Sequence, residues 1–222
     1  MIPSPDMLKL RDGSVRLGAN TSFSVAAAWK SQLSYISNEF TKALSLLPVS
    51  ESFAVYVDKV QTTSFPEYKR GSYRIGVDKV NKILSVKAAD VQGAIHGMVW
   101  LQFFADQGGV LPIFDLLSMP EHNIRALHLV IGGGNAVNVT PKRIKKAISL
   151  ARQNHFNTLI LQLGMRVRFN SISVLPDHLT WSIQEFVDVV DFARKNGLNV
   201  IPEFKFLSHQ KKFLKKKYPH LM

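Results

Sequence analysis

Apolar residues near the N-terminus recur at the spacing of an amphipathic helix. Within residues 26–47 they lie three or four positions apart, at Trp29, Leu33, Ile36, Phe40, Leu44 and Leu47. Thr21-Ser22 precedes this run and can cap a helix, whereas Pro48 cannot continue one. The pattern therefore predicts a single helix over 26–47, preceded by a short extended segment over 15–25.

Alternation of apolar and polar residues follows, and it is typical of half-buried strands. Asp90 can cap a second helix, and Gly108-Gly109 can end it. The predicted strands are 53–57, Tyr73–Asp78 and Ile83–Ala88, the last two joined as a hairpin, and the predicted helix is Val91–Asp106. This order predicts an α+β layer, a sheet with two helices on one face.

The pattern changes after Met119-Pro120, where three apolar runs of buried-strand length alternate with helical segments. The predicted order is strand 126–131, a helix from Thr140-Pro141 to about Asn154, strand 158–163, helix 182–196 and strand 199–204. Apolar strands separated by helices indicate a parallel sheet. Such a sheet could be doubly wound or could belong to a barrel, and three strands cannot close an eight-stranded barrel.

Composition excludes several classes of protein. The 222 residues contain no cysteine, so disulfides and thiolate zinc sites are impossible, and the histidines lack metal-ligand spacing. No apolar run reaches the roughly 18 residues of a membrane span, and no signal-peptide pattern opens the sequence. The net charge is +12, and half of it comes from Lys205, Lys211, Lys212, Lys215, Lys216 and Lys217. No nucleic-acid motif accompanies this charge, so we do not predict nucleic-acid binding. We predict no cofactor either.

A set of ordered segments resembles the family 20 glycoside hydrolases, which include the β-N-acetylhexosaminidases. The segments lie in the family's order along nearly the whole chain, and they are Ile2-Pro3-Ser4-Pro5, Gly71-Ser72-Tyr73-Arg74-Ile75, Gly93-Ala94-Ile95-His96-Gly97, Met119-Pro120 through Arg125-Ala126, His155-Phe156-Asn157-Thr158-Leu159 and Val200-Ile201-Pro202-Glu203-Phe204 with His209. The resemblance implies a hexosaminidase-like N-terminal α+β domain over 1–118. It also implies the N-terminal portion of a (β/α)₈ catalytic barrel over 119–222, truncated after its first three strands.

The resemblance also implies an activity, the hydrolysis of terminal N-acetylhexosamine by substrate-assisted catalysis. In that reaction a glutamic acid protonates the leaving oxygen, the sugar's acetamido oxygen attacks the anomeric carbon, and an aspartate stabilises the intermediate. The expected partner is therefore a glycan that contains N-acetylhexosamine. Members of the family are often exported, so the resemblance implies a periplasmic or extracellular protein.

Several expected site residues are replaced in this sequence. Gly133 stands at the family's sugar-binding arginine, Gln162 and Met165 stand at its histidine and aspartate, and Lys205 stands at an aspartate after the third strand. The catalytic Asp-Glu pair has no counterpart, so no catalytic residue is assigned to this chain, and the chain alone is expected to be inactive.

Four residues are candidates for substrate binding or for orienting other groups at the site. Glu203 and His209 persist at family positions, and Arg166 and Arg168 flank the loop after the second strand, where they could contact an acidic sugar. For Glu203 a structural carboxylate is the alternative. By contrast, His96 and His128 lie within apolar runs and are predicted to be buried core histidines.

Two functions remain open for the sequence. The first is a fragment of a glycosidase, and the second is a non-catalytic module with a degenerate site that faces carbohydrate or another partner. Because an incomplete barrel leaves sheet edges unpaired, self-association through those edges is also expected to be possible.

Overall fold

The computed structural model describes residues 5–132, 139–164, 166–168, 180–204 and 220. The chain divides into two compact units. The first comprises Met1–Arg125, Arg152–His155 and Lys195–Gly197, and the second comprises Ala126–Ala151, Phe156–Arg194 and Leu198–Met222.

A mixed sheet of six strands forms the centre of the first unit. Its strands are β1 (Met7–Arg16), β2 (Ser22–Val25), β3 (Ala54–Lys59), β4 (Tyr73–Asp78), β5 (Ile83–Ala88) and β6 (Val110–Ser118), arranged in the order β1-β6-β4-β5-β3-β2. Strands β2, β3 and β5 pair in parallel, whereas the other neighbours are antiparallel. The predicted hairpin of β4 and β5 is present, with Tyr73 opposite Ala88.

One face of this sheet is buried and the other is polar. Tyr73, Ile75 and Val77 of β4 are buried, while Arg74 and Asp78 between and beyond them are exposed. The helices α1 (Ser34–Ser45) and α2 (Val91–Asp106) contribute to the same hydrophobic core as the buried strand residues. The predicted α+β architecture of this region is therefore confirmed, because alternation along the strands leaves one apolar face to be covered.

The predicted helix over 26–47 is wrong in its first part. Ser22 begins strand β2, a 3₁₀ turn spans Ala27–Trp29, and the helix begins only at Ser34 without a side-chain cap. Thr21 caps no helix, since its hydroxyl accepts a hydrogen bond from the backbone of Gly18. Strand β2 lies within the extended segment predicted over 15–25 and pairs in parallel with β3. Trp29 and Leu33 are buried although both precede the α-helix, so tertiary packing outweighs the helical spacing there.

Strand β6 has no counterpart among the predicted elements, and Pro112 lies within it. A proline normally argues against an interior strand because it cannot donate a backbone hydrogen bond. Here β6 pairs with β4 only over 115–118, while Pro112 lies in the part that pairs with β1 alone. Strand β6 therefore accommodates Pro112, although the strand as a whole lies between β1 and β4.

Helix α2 begins as the sequence predicts and packs closely on the sheet. The Asp90 carboxylate accepts hydrogen bonds from the backbone N–H groups of Gly93, at 2.7 Å, and Gly71, at 3.0 Å. A Cβ atom on Gly93 would lie 2.1 Å from the Ser72 carbonyl oxygen, and one on Gly97 would lie 2.4 Å from the side chain of Val86. Close packing thus explains why two small residues recur in this helix.

Two buried histidines stack in the first unit. The rings of His96 and His155 lie 4.6 Å apart, and Arg125 donates from Nε to the His155 carbonyl oxygen at 2.9 Å. His96 Nε2 lies 3.0 Å from the amide nitrogen of Gln92, which can only donate, so His96 accepts there and is neutral. His96 is therefore a core histidine with hydrogen-bond partners, as predicted.

The pKa values of both histidines lie below the ordinary value. Burial is the largest cause for each, since it disfavours the charged imidazolium. It lowers the pKa of His96 well below 6.5, with the neighbouring His155 and Arg125 adding to the shift, and it lowers the pKa of His155 to about 4, with Arg125 adding to it.

The second unit contains a parallel sheet of three strands, β7 (Ala126–Val130), β8 (Thr158–Gln162) and β9 (Asn199–Glu203), in sequence order. Helix α3 (Pro141–Gln153) connects the first two strands, and α4 (Ile183–Lys195) connects the last two. Parallel pairing is thus confirmed. Leu159, Leu161 and Leu163 on one face of the sheet pack into a core with residues of both helices. Among the described residues, no helix combines the length and apolar character needed to cross a membrane.

Replacement of Asp90 by alanine should destabilise the protein by about 1–2 kcal/mol, because the first turn of α2 loses its cap and the Gly71 N–H loses an acceptor. Urea unfolding at neutral pH measures this change. The exposed carboxylate of Asp12 provides the control, and D12A should change the unfolding free energy by less than about 0.5 kcal/mol. Equal effects of D90A and D12A would contradict this role of the cap.

Acid should destabilise the protein through His96 and His155. Both are neutral in the folded protein, whereas in the unfolded chain they bind protons as the pH falls through 6.5. The free energy of unfolding should therefore be flat above about pH 7 and should fall below pH 6.5 by up to ~1.4 kcal/mol per pH unit for each histidine.

Urea unfolding at pH 7, 6 and 5 measures this slope. The variant H155Q should have a smaller slope than the wild type, whereas H122Q, which changes an exposed histidine, should keep the wild-type slope. An unchanged slope in a folded H155Q protein would contradict the assignment.

Candidate functional site

Three parallel strands of the second unit bring their carboxyl ends together. In the pairing register Val130 lies opposite Gln162, and Gln162 lies opposite Glu203. Because side chains alternate along a strand, these residues point to the same face of the sheet, and so does His128, two positions before Val130. This face is opposite to the leucine-rich face that packs against α3 and α4.

The carboxylate of Glu203 is held at both oxygens. Gln162 donates from Nε2 to Glu203 Oε1 at 2.8 Å, and His128 Nε2 lies 3.0 Å from Glu203 Oε2. Gln162 is buried, while the side chains of His128 and Glu203 are 48% and 37% exposed. A proton on His128 Nε2 is donated to the carboxylate, so the two side chains form an imidazole–carboxylate pair fixed in place by Gln162.

Such a pair is suited to orienting a ligand and moving a proton. The glutamate holds the imidazole in one orientation, and the second ring nitrogen, Nδ1, is then able to exchange a proton or to accept a hydrogen bond. Because both oxygens of the Glu203 carboxylate are held by neighbouring side chains, the carboxylate is fixed in place and can position other groups. We refer to Glu203, His128 and Gln162 as the Glu203 cluster.

The prediction that His128 is a buried core histidine is wrong. Its side chain is about half exposed and contacts Glu203. The apolar run over 126–131 indicated burial, yet in a parallel sheet its residues alternate between the leucine-rich face and the opposite one. The register would have revealed the contact, because strands aligned by their carboxyl ends place His128 on the same face as Glu203.

Arg166 and Arg168 follow the carboxyl end of β8, and their backbone is held by an isolated bridge between Val167 and Trp181. Arg166 donates its backbone N–H to the Leu163 carbonyl oxygen at 3.1 Å, and Arg168 donates to the Trp181 carbonyl oxygen at 3.0 Å. The structure therefore anchors the backbone of both arginines after the strand that supplies Gln162.

Other predicted positions lie outside the described residues. These are His209, Gly133, Met165 and Lys205. Within the described part of the chain, no group of three or more histidine, aspartate or glutamate side chains is arranged to hold a metal ion.

Comparison with solved structures finds similar folds. A β-N-acetylhexosaminidase from Bacteroides fragilis NCTC 9343 is 21% identical, with a TM-score of 0.74, and the match covers 99% of this chain and 47% of that chain. A GH20 exo-β-N-acetylglucosaminidase from Vibrio harveyi, in complex with N-acetylglucosamine, is 18% identical, with a TM-score of 0.74 over 100% of this chain and 38% of that one. A Streptomyces plicatus N-acetyl-β-hexosaminidase in complex with Thio-NAglucal is 15% identical, with a TM-score of 0.77, and the match covers 96% of this chain and 47% of that chain.

No family model matches the sequence, and no curated protein matches it either. The chain spans less than half of the length of the solved structures to which it is similar. At these low identities the likeness concerns the fold, and it extends over nearly all of this chain. The protein therefore has a fold like that of the family 20 β-N-acetylhexosaminidases over the part of those enzymes that it spans.

Proposed function

We propose that this chain is part of a glycoside hydrolase that resembles the β-N-acetylhexosaminidases. Residues 1–118 would be its accessory α+β domain, and residues 119–222 would supply the first three strands of a (β/α)₈ barrel. The observation that carries the proposal is the fold likeness over 96% to 100% of the chain. The alternation of parallel strands with α3 and α4 supports the barrel assignment, since each strand of such a barrel is followed by a helix.

The position of the Glu203 cluster supports a site at the carboxyl ends of the strands. In barrels of this type the active site lies at that end, and residues from several strands contribute to it. Glu203 and Gln162 terminate two neighbouring strands, and His128 lies near the end of the third. The cluster would position other groups of the site or the substrate itself.

The proposed substrate is a glycan with terminal N-acetylhexosamine. Two of the similar enzymes were solved with N-acetylglucosamine and with Thio-NAglucal, and this supports the same class of sugar here. In the longer enzyme an Asp-Glu pair would carry out acid catalysis and stabilise the intermediate formed by the acetamido group. No such pair is assigned to residues 1–222, and the role proposed for them is to orient the substrate.

A non-catalytic module that faces carbohydrate is the second candidate function. The observation that favours it is that Gln162 and His128 each contact one oxygen of the Glu203 carboxylate, together with the apolar Val130 at the end of β7. The gene region that follows the codon of Met222 separates the two candidates. A further strand that ends in Asp-Glu favours the hydrolase, and its absence favours the module.

Self-association through the outer strands β7 and β9 stays a prediction.

The purified chain should not hydrolyse a chromogenic N-acetylglucosaminide, because no acid pair is assigned to it. A continuous absorbance assay at pH 5 and pH 7 measures this, with a known hexosaminidase as the positive control. Turnover that copurifies with the chain and is abolished in an E203Q variant would contradict the prediction and would place catalysis at the Glu203 cluster.

N-acetylglucosamine should bind weakly at the Glu203 cluster. In a titration followed by backbone amide NMR, the shifts should concentrate at the ends of β7, β8 and β9. The E203Q variant should bind at least several-fold more weakly, since loss of the negative charge weakens hydrogen bonds from His128 and from sugar hydroxyls. The matched control E121Q changes an exposed carboxylate of the first unit and should bind as the wild type does. Saturable shifts confined to other residues would count against this site.

A further inference from the structure

A cavity of about 150 Å³ lies in the first unit, apart from the Glu203 cluster. Its apolar wall is formed by Ile36 of α1 and by Met98, Val99 and Phe103 of α2. The remaining lining residues are polar or charged, and they are Gln102, Asp106, Arg152 and Gln153. A volume of this size is sufficient for a benzene ring. The cavity therefore has room for a ring-sized molecule beside its apolar wall.

A buried arginine with an unused donor also lines the cavity. Arg152, which belongs to the first unit, is 8% exposed and donates from Nη1 to Glu39 Oε2 at 2.7 Å. Its Nε is buried and has no hydrogen-bond acceptor among the described residues. A guanidinium carries five N–H donors, and a buried donor without an acceptor destabilises the protein. A ligand oxygen that reached Nε would give this donor an acceptor.

The charges around the cavity select an uncharged ligand. Glu39 already neutralises Arg152, and a second carboxylate, that of Asp106, also lines the cavity and accepts a hydrogen bond from Gln102 at 2.7 Å. An anionic ligand would meet an excess of negative charge. An amide fits better, because its carbonyl oxygen can accept from Arg152 while its N–H can donate to Asp106.

We propose that this cavity is a binding site for an uncharged, ring-sized molecule that carries an amide group. The site is independent of the proposed glycosidase function, because every residue that the proposal uses belongs to the first unit and none belongs to the Glu203 cluster. We refer to it as the Arg152 cavity.

Three probes of similar size test the proposal by NMR titration of the full chain. Benzamide carries the amide, benzoate is its anionic counterpart of nearly the same shape, and benzene lacks a polar group. Benzamide should bind saturably in the millimolar range or tighter and should shift resonances of α1 and α2. It should bind more tightly than either of the other two.

Two variants identify the residues responsible. R152M removes the donors but keeps the apolar stem, so it should weaken benzamide binding about tenfold and leave benzene binding unchanged within about twofold. V99F fills the cavity and should abolish binding of both probes. The control K142M removes an exposed charge and should leave both affinities unchanged.

Each contrary result overturns the proposal. If benzamide does not bind saturably to the folded wild type, the site does not exist. If benzoate binds more tightly than benzamide, the cavity does not select an uncharged ligand. Benzamide binding that is unchanged in R152M excludes the arginine. If R152M does not fold, the V99F variant and the comparison of benzamide with benzoate still decide the outcome.

Discussion

The in-register parallel pairing of β7, β8 and β9 is the constraint on which the candidate site depends. Aligned carboxyl ends place Gln162 beside Glu203 and bring His128 to the same face of the sheet. If the register of any of these strands shifted by one residue, the cluster residue on that strand would point to the leucine-rich face. The apolar residues of that face fix the register, so the core of the second unit and the geometry of the Glu203 cluster have one physical cause.

In the first unit, helix α2 packs closely on the mixed sheet. Gly93 and Gly97 allow the helix to approach Ser72 and Val86, and Asp90 satisfies N–H groups at the start of the helix. The same unit contains the buried histidine stack and the Arg152 cavity. The two buried histidines make the stability of this unit sensitive to pH.

Much of the fold could be predicted from the sequence because many elements have local signals. Alternation predicted β4 and β5, Asp90 and Gly108-Gly109 bounded α2, and apolar runs predicted the three parallel strands. Strand β6 was missed because its pairing with β1 and β4 is a tertiary contact, while Pro112 within it argues locally against a strand. Glu203 could be named from motif order, whereas its contact with His128 required the register, which no single strand reveals.

The coupling free energy between Gln162 and Glu203 tests most directly whether the parallel register fixes the carboxylate of Glu203. A double-mutant cycle on the unfolding free energy, with Q162A, E203A and both together, isolates the interaction of these two side chains. We predict a favourable coupling of about 1–3 kcal/mol, as expected for a hydrogen bond from a buried amide to a carboxylate. A coupling indistinguishable from zero in folded variants would contradict the claim that parallel register fixes the carboxylate at the carboxyl ends of the strands.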